Sequence, residues 1–268
     1  MTVVAAYARA CHPLPAAAVT TIIVVCGWAL GWTWPALLGL AAAVGIGQLS
    51  VGWSNDAVDA DLDALAARLD KPTVTGAVDA RGLWVAACCA LGVSVALSCI
   101  VAGWAGGSWY VLWLAAAWLY NLRLSRTPWG WVPYAVAFGS VPALLTVGLG
   151  IGAPAGWMVA VFALVGVSAH LTNALPDLER DVHAGVGGTA VALGVSRSAA
   201  LAWLLLALGS AILALVVLPE SPALAAGVVG GYAAAWLVSR TSRHRDALFR
   251  GLLAAVGLDL VVLIVALR

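Results

Sequence analysis

The sequence predicts an all-α membrane protein of nine transmembrane helices with a cytoplasmic N-terminus, and three observations lead there. Of 268 residues, 63% are hydrophobic and only 9% charged, with a mean hydropathy of +1.02, whereas soluble domains carry about 25% charged residues. Apolar stretches approaching the ~20 residues that cross a hydrocarbon core recur along the whole chain. The basic residues fall in alternate connections only, as the positive-inside rule requires of a multi-pass protein.

Charges and Gly/Pro breaks delimit the apolar segments as 14–31, 36–55, 82–102, 108–121, 131–151, 156–176, 198–218, 222–239 and 247–267. The first lacks the basic start and small-residue cleavage site of a secretory signal and is read as a span that stays. The fourth is short. Odd-numbered connections read "GWTWP", "AGWAGGS", "GIGAPAG" and "PESP", without Lys or Arg. The N-terminal tail carries Arg9, the second connection Arg68, Lys71 and Arg81, and the fourth Arg123 and Arg126. The sixth carries Arg180 and Arg197, and the eighth Arg240, Arg243 and Arg245, with Arg250 just beyond. Only Arg268 falls on the opposite side, so 12 of the 13 basic residues share one face, assigned to the cytoplasm. No linker separates soluble domains, and residues 1–268 read as one membrane domain in a lipid bilayer.

A net charge of +1 argues against nucleic acid as a partner, because neutralising phosphates takes clustered Lys and Arg. The five cysteines, Cys11, Cys26, Cys88, Cys89 and Cys99, have no metal-ligand spacing and read as small apolar residues.

The twelve acidic residues are not scattered. In "SNDAVDADLD", Asn55, Asp56, Asp59 and Asp63 recur every three or four positions and share one helix face, with Asp61 off the stripe. In "NALPDLERD", Asn173, Asp177 and Asp181 follow at i, i+4 and i+8, with His170 one turn earlier and Glu179 pointing elsewhere. Both groups end even-numbered segments on the cytoplasmic side. Carboxylates crowded on one face repel, and protonation or bound cations relieve them. Oxygen-only ligands suit a hard ion such as Mg2+, which keeps its waters and favours a phosphate partner. Polar groups at the ends of apolar helices are expensive and usually functional. The ordinary alternative is solvated loop charge.

These motifs resemble those of the UbiA superfamily of intramembrane prenyltransferases, with NDxxDxxxD near the end of the second helix and DxxxD near the end of the sixth. Asn55-Asp56-x-x-Asp59-x-x-x-Asp63 completes the first, and Asp177-x-x-x-Asp181, followed by "GVGGTAVALG", matches the second. "DKPTVTG" from Asp70 is similar to the basic-Pro segment after helix two, and "YNLRLSRTPW" from Tyr120 to the Tyr segment after helix four. The resemblance implies a central cavity open to the cytoplasm and to lipid. There Mg2+, held by Asp56, Asp59, Asp63, Asp177 and Asp181, would bind the diphosphate of an isoprenyl donor. Asn55, Asn173, Arg68, Lys71 and Tyr120 would complete the binding site. Related sequences carry a Lys where this chain reads "LSRT" with Ser125, and Arg123 and Arg126 are the replacements at hand.

The implied reaction ionises an allylic C–O bond, with cations neutralising the departing diphosphate and aromatic groups such as Trp53, Trp118 and Tyr120 sheltering the carbocation. The prenyl group then passes to an aromatic or lipid-like acceptor, with His170 a candidate base or a packing residue. A rival reading keeps the ionisation but lets the cation close on itself, as in UbiA-type terpene cyclases. A transporter would distribute charge through the membrane midplane and repeat its topology, and neither pattern is found. Asp259, inside the last segment, is read as a packing residue.

Overall fold

The computed structural model describes residues 2–183, 185–241, 251, 254–258 and 261–262. Among them every regular element is helical. Among the described residues six helices are long and apolar enough to cross a membrane, or seven if a bent N-terminal pair counts as one span. Two compact units are formed, Met1–Arg123 with Ala143–Gly152, and Leu124–Pro142 with Ala153–Arg268.

The first unit opens with α1 (Val3–Ala10), capped by Thr2, whose Oγ1 accepts from the Ala5 N–H at 3.3 Å. α2 (Pro13–Ala29) follows after a bend of 61°. His12 stands at the bend in the left-handed region, φ 52° and ψ 67°, and Pro13 starts the new helix with φ already set. α3 (Trp34–Leu65) runs well past residue 55, where the sequence reading ended its segment. Nothing between Asn55 and Leu65 breaks it, so the first acidic motif lies wholly on a helix.

α4 (Ala80–Leu119) begins on Asp79, whose Oδ1 accepts from the Gly82 N–H at 2.7 Å. A straight helix of 40 residues would span about 60 Å, twice the ~30 Å of hydrocarbon. It is not straight. Gly103, at φ 67° and ψ 173°, reverses the chain, so that Trp84 and Trp118 lie 5.7 Å apart between ring centroids. The segments 82–102 and 108–121 are thus the two arms of a hairpin, and their fusion into one element reflects only the brevity of the turn. The Ser94 hydroxyl donates to the Ala43 carbonyl at 2.6 Å, and the Tyr110 hydroxyl donates to the same carbonyl at 3.3 Å. Gly47 gives these groups room on α3, the small-residue contact that lets membrane helices approach. A π-helical turn, Tyr120–Leu124, ends the second arm.

α5 (Trp131–Gly148) contains Pro142, where the boundary between the units falls. Its last turns belong to the first unit, where the Trp32 indole donates to the Leu145 carbonyl at 3.1 Å. In the second unit its earlier turns meet α6 (Gly156–Ala174), with Gly166 against Phe138 and the Tyr134 carbonyl. Two short helices follow, α7 (Leu178–His183) and α8 (Thr189–Leu193). Then come α9 (Val195–Val217) and α10 (Pro222–Thr241). The Ser168 hydroxyl donates to the Ala202 carbonyl at 2.8 Å between α6 and α9. Trp203, Leu206, Ala235 and Ala255 form a buried cluster, with Tyr232 edge-on to Trp203. The ninth predicted segment is described only at 251, 254–258 and 261–262, which are helical. Asp259, Arg243, Arg245, Arg250 and Arg268 lie outside the described residues.

The hairpin contact gives a direct test. A Cβ at Gly47 would meet Ser94 Oγ at 2.7 Å and the Tyr110 hydroxyl more closely still. Gly47→Val is expected to destabilise the protein by about 1–3 kcal/mol through overpacking, read as a lowered unfolding midpoint in detergent.

Candidate active site

The stripe foreseen on α3 is present. Asp56 is 1% exposed and Asp63 is 5% exposed, Asn55 and Asp59 are half-buried, and Asp61, off the stripe, is exposed. Carboxylates buried at a helix end need counter-charge, and the turn after α3 delivers it. Ala67 takes the left-handed conformation at φ 49°, and the Arg68 N–H bonds back to the Asp63 carbonyl at 3.0 Å, which is the Schellman closure of a helix. An alanine there costs about 1–2 kcal/mol relative to glycine. The closure points Arg68 back along the helix, where Nη1 donates to Asp63 Oδ1 at 3.3 Å and Nη2 to Asp70 Oδ2 at 3.4 Å. A further turn carries Lys71 inward, only 7% exposed. Its ammonium donates to Asp56 Oδ1 at 2.6 Å and stands 4.0 Å from Asp63 Oδ2.

Two site residues escaped sequence reasoning. His12, which the sequence reads as a cytoplasmic surface residue, brings Nε2 to 2.9 Å from Asp56 Oδ1. Asn121, in the π-helical turn, is 4% exposed. Its Nδ2 donates to the Val51 carbonyl and to Ser54 Oγ, both at 2.9 Å, and its Oδ1 accepts from Asn55 Nδ2 at 3.4 Å. Asn55 Nδ2 also donates to Asp59 Oδ2 at 3.3 Å. An amide closing an otherwise apolar segment was the available signal for Asn121. Tyr120 opens the same turn, and Arg123 within it is exposed.

Two aromatic candidates serve packing. The Trp53 indole donates to the Tyr7 carbonyl at 2.8 Å and stands edge-on to the Tyr7 ring, fastening α1 to α3. Trp118 donates to Ser50 Oγ at 3.1 Å beside Trp84.

In the second unit the predicted i, i+4, i+8 face does not run through. α6 stops at Ala174, and a turn over 175–177 containing Pro176 intervenes before α7. Proline cannot donate the helical hydrogen bond and disfavours helix at the residue before it. Asn173 is therefore on one helix, exposed, and Asp181 on another. Asp177 and Asp181 keep one helical turn in common, the Asp181 N–H bonding to the Asp177 carbonyl at 2.9 Å. Arg180 Nη1 donates to Asp177 Oδ1 at 2.9 Å, with both side chains substantially exposed. His170 is buried, with Nε2 3.2 Å from Thr189 Oγ1 and its ring 4.7 Å from that of Tyr134, which is the packing role. Thr189 donates to the Pro128 carbonyl at 3.2 Å. Gly187 lies against the Arg126 carbonyl and Gly188 against that of Ser125, approaches too close for a larger residue at Gly187. The tail of the second motif is thus bound to the Ser125–Pro128 segment.

A cation fits the first cluster by the chemistry of its donors. Asp63 Oδ2 is buried without a hydrogen bond, and Mg2+ needs only one or two carboxylates beside its waters and phosphate oxygens. Among the described residues no three His, Cys, Asp or Glu side chains already converge as a metal cage.

Residues 4–255 match the model of the UbiA prenyltransferase family. The chain belongs to that family. Solved UbiA structures share its fold over nearly the whole length. The homolog of Archaeoglobus fulgidus bound to DMAPP and Mg2+ gives a TM-score of 0.71 at 15% identity, covering 96% of this chain and 98% of that one. The apo homolog of Aeropyrum pernix K1 gives 0.69 at 20% identity, covering 92% and 96%. A digeranylgeranylglyceryl phosphate synthase gives 0.70 at 14% identity, covering 100% and 99%. No curated protein matches the sequence.

Two substitutions separate the buried from the exposed polar contacts. Asn121→Leu removes the donors to Val51 and Ser54 and is expected to destabilise by about 1–3 kcal/mol, the cost of orphaned buried groups. Arg180→Ala removes an exposed pair and should change the unfolding free energy by less than about 0.5 kcal/mol.

Proposed function

We propose that this UbiA-family chain is a Mg2+-dependent intramembrane prenyltransferase that ionises an isoprenyl diphosphate and passes the prenyl group to an aromatic or lipid-like acceptor. The observation that carries the reading is the set Asp56–Lys71–Asp63–Arg68, carboxylates and cations gathered at one helix end in a chain that is otherwise 63% hydrophobic.

Asp56, Asp59 and Asp63 of the first motif, with Asp177 and Asp181 of the second, would hold Mg2+. Bound there, the ion would neutralise charge developing on the departing diphosphate. Lys71 supplies a compact ammonium beside these carboxylates, and Arg68 a planar fork that suits phosphate oxygens. Asn55 and Asn121 fix the stripe through their mutual hydrogen bond, so the carboxylates need little reorganisation when charge develops. Asn173, Tyr120, Arg123 and Arg126 are proposed as further donor-binding groups. The allylic C–O bond breaks with its electron pair going to the diphosphate. The acceptor then gives a pair to the allylic carbon and loses a proton to water or a neighbouring base.

The absence of a lysine at Ser125 favours one second reading. A changed diphosphate pocket suits a terpene cyclase, in which the cation is quenched by its own double bonds. The donor-binding groups rest on the motif resemblance, and the cytoplasmic placement of the site rests on the alternating basic connections.

Pyrophosphate release from purified protein, with donors of several chain lengths, tests the reading. Release should need Mg2+, stop with EDTA, and fall at least ~100-fold in Asp59→Ala and in Asp181→Ala, the scale of losing a transition-state charge contact. Release that survives EDTA or both substitutions would falsify the assignment. Incubation with donor alone separates the two reactions, since a cyclic hydrocarbon or terpene alcohol means cyclase.

A further inference from the structure

The N-terminal elbow is built onto the first acidic motif. α1 and α2 meet at Cys11–His12, and the backbone of Cys11 is seated on Gly52, where a Cβ would come within 2.6 Å of it. That is one helical turn before Asp56. Three other contacts fasten the same piece. Trp53 donates to the Tyr7 carbonyl at 2.8 Å, Arg9 Nη2 donates to the Asp70 carbonyl at 3.2 Å, and Ala6 and Ala10 are buried with Ala57, Val78 and Leu83. On this seat His12 is the only described non-glycine residue besides Ala67 with positive φ, a conformation that costs histidine on the order of 1 kcal/mol. Strain persists only where the surroundings impose it. Here it brings Nε2 to 2.9 Å from Asp56 Oδ1.

A carboxylate only accepts, so this contact requires Nε2–H to donate. Lys71 donates to the same oxygen at 2.6 Å. Both donors meet Oδ1, so a cation would approach the Asp56 carboxylate at Oδ2. Lys71 is itself a proposed diphosphate ligand, and a bound donor would draw its ammonium from Asp56 toward phosphate oxygens. The imidazole, held by the elbow, has no such second task.

We infer that His12 is a positioning residue for Asp56, presented by the N-terminal elbow so that the carboxylate keeps one oxygen turned toward divalent metal. This inference rests on the proposed metal–diphosphate reading. Partners that orient a ligating carboxylate through a hydrogen bond typically change metal affinity 10–100-fold when removed.

Two variants separate the hydrogen bond from the elbow's backbone. His12→Asn retains a residue that tolerates the left-handed conformation but is too short to reach Asp56. His12→Gln keeps a donor of nearly the original reach. Mn2+ dissociation constants are measured by electron paramagnetic resonance of the full chain in detergent, at a fixed level of an unreactive dimethylallyl thiolodiphosphate. Asp56→Ala serves as the reference. The expected result is about tenfold weaker binding in His12→Asn, affinity within about threefold of native in His12→Gln, and loss in Asp56→Ala. If Asp56→Ala loses Mn2+ while His12→Asn binds like the native chain, or if Asn and Gln weaken binding equally, the positioning role is overturned and the function reading stands. If Asp56→Ala binds Mn2+ as the native protein does, the metal reading itself fails and takes this inference with it.

Discussion

A carboxylate buried at the end of an apolar helix must be neutralised, and the first unit is organised around that requirement at Asp56 and Asp63. An isolated charge of this kind is several kcal/mol out of balance even after relaxation. The chain answers locally, within the fifteen residues that separate Asp56 from Lys71. α3 ends in a closure that needs a left-handed Ala67, the closure turns Arg68 onto Asp63, and the next turn buries Lys71 against Asp56. Replacing such a buried ion set by apolar residues is often neutral or stabilising. Its presence is therefore poor evidence of a device for stability and good evidence of a site that handles charge.

How much of this could be read from the amino acids depended on whether the interactions were local. The stripe at Asn55, Asp56, Asp59 and Asp63 was legible because α3 runs unbroken through it and periodicity maps directly onto a helix face. The same arithmetic failed at Asn173–Asp181, where Pro176 splits the run into α6, a turn and α7. The hairpin was legible as two apolar segments, since Gly103 marks the reversal. His12 was not, because its contact crosses 44 residues of sequence and depends on a backbone conformation no pattern announces. Trp53 and Trp118 misled for a related reason. Proximity to the motif along the chain suggested a cavity wall, whereas their indole N–H groups fasten helices.

The likeness to UbiA structures at 14–20% identity covers nearly the whole chain, which fits the way membrane helices pack. Small residues that allow close approach and polar side chains that bond across helices carry the association, and many sequences supply them. Gly47 beneath Tyr110 and Ser168 on the Ala202 carbonyl are local instances. Such contacts preserve a fold while saying little about chemistry, so the reaction has to be argued from the charged minority of residues.

Within that minority, two irregular pieces of backbone converge on one helix face. The left-handed His12 reaches Asp56 from the N-terminal side. From the other side the π-helical turn at Tyr120–Leu124 sets Asn121 against Val51 and Ser54 and beneath Asn55. Single π turns are rare and are concentrated at functional sites, because they re-aim a side chain at the cost of a weaker hydrogen-bond ladder. A helix packed only for stability needs neither departure. That both fall on the stripe Asn55–Asp63, one holding a carboxylate oxygen and the other the neighbouring amide, argues that the orientation of those groups, beyond their mere presence, is what the fold maintains.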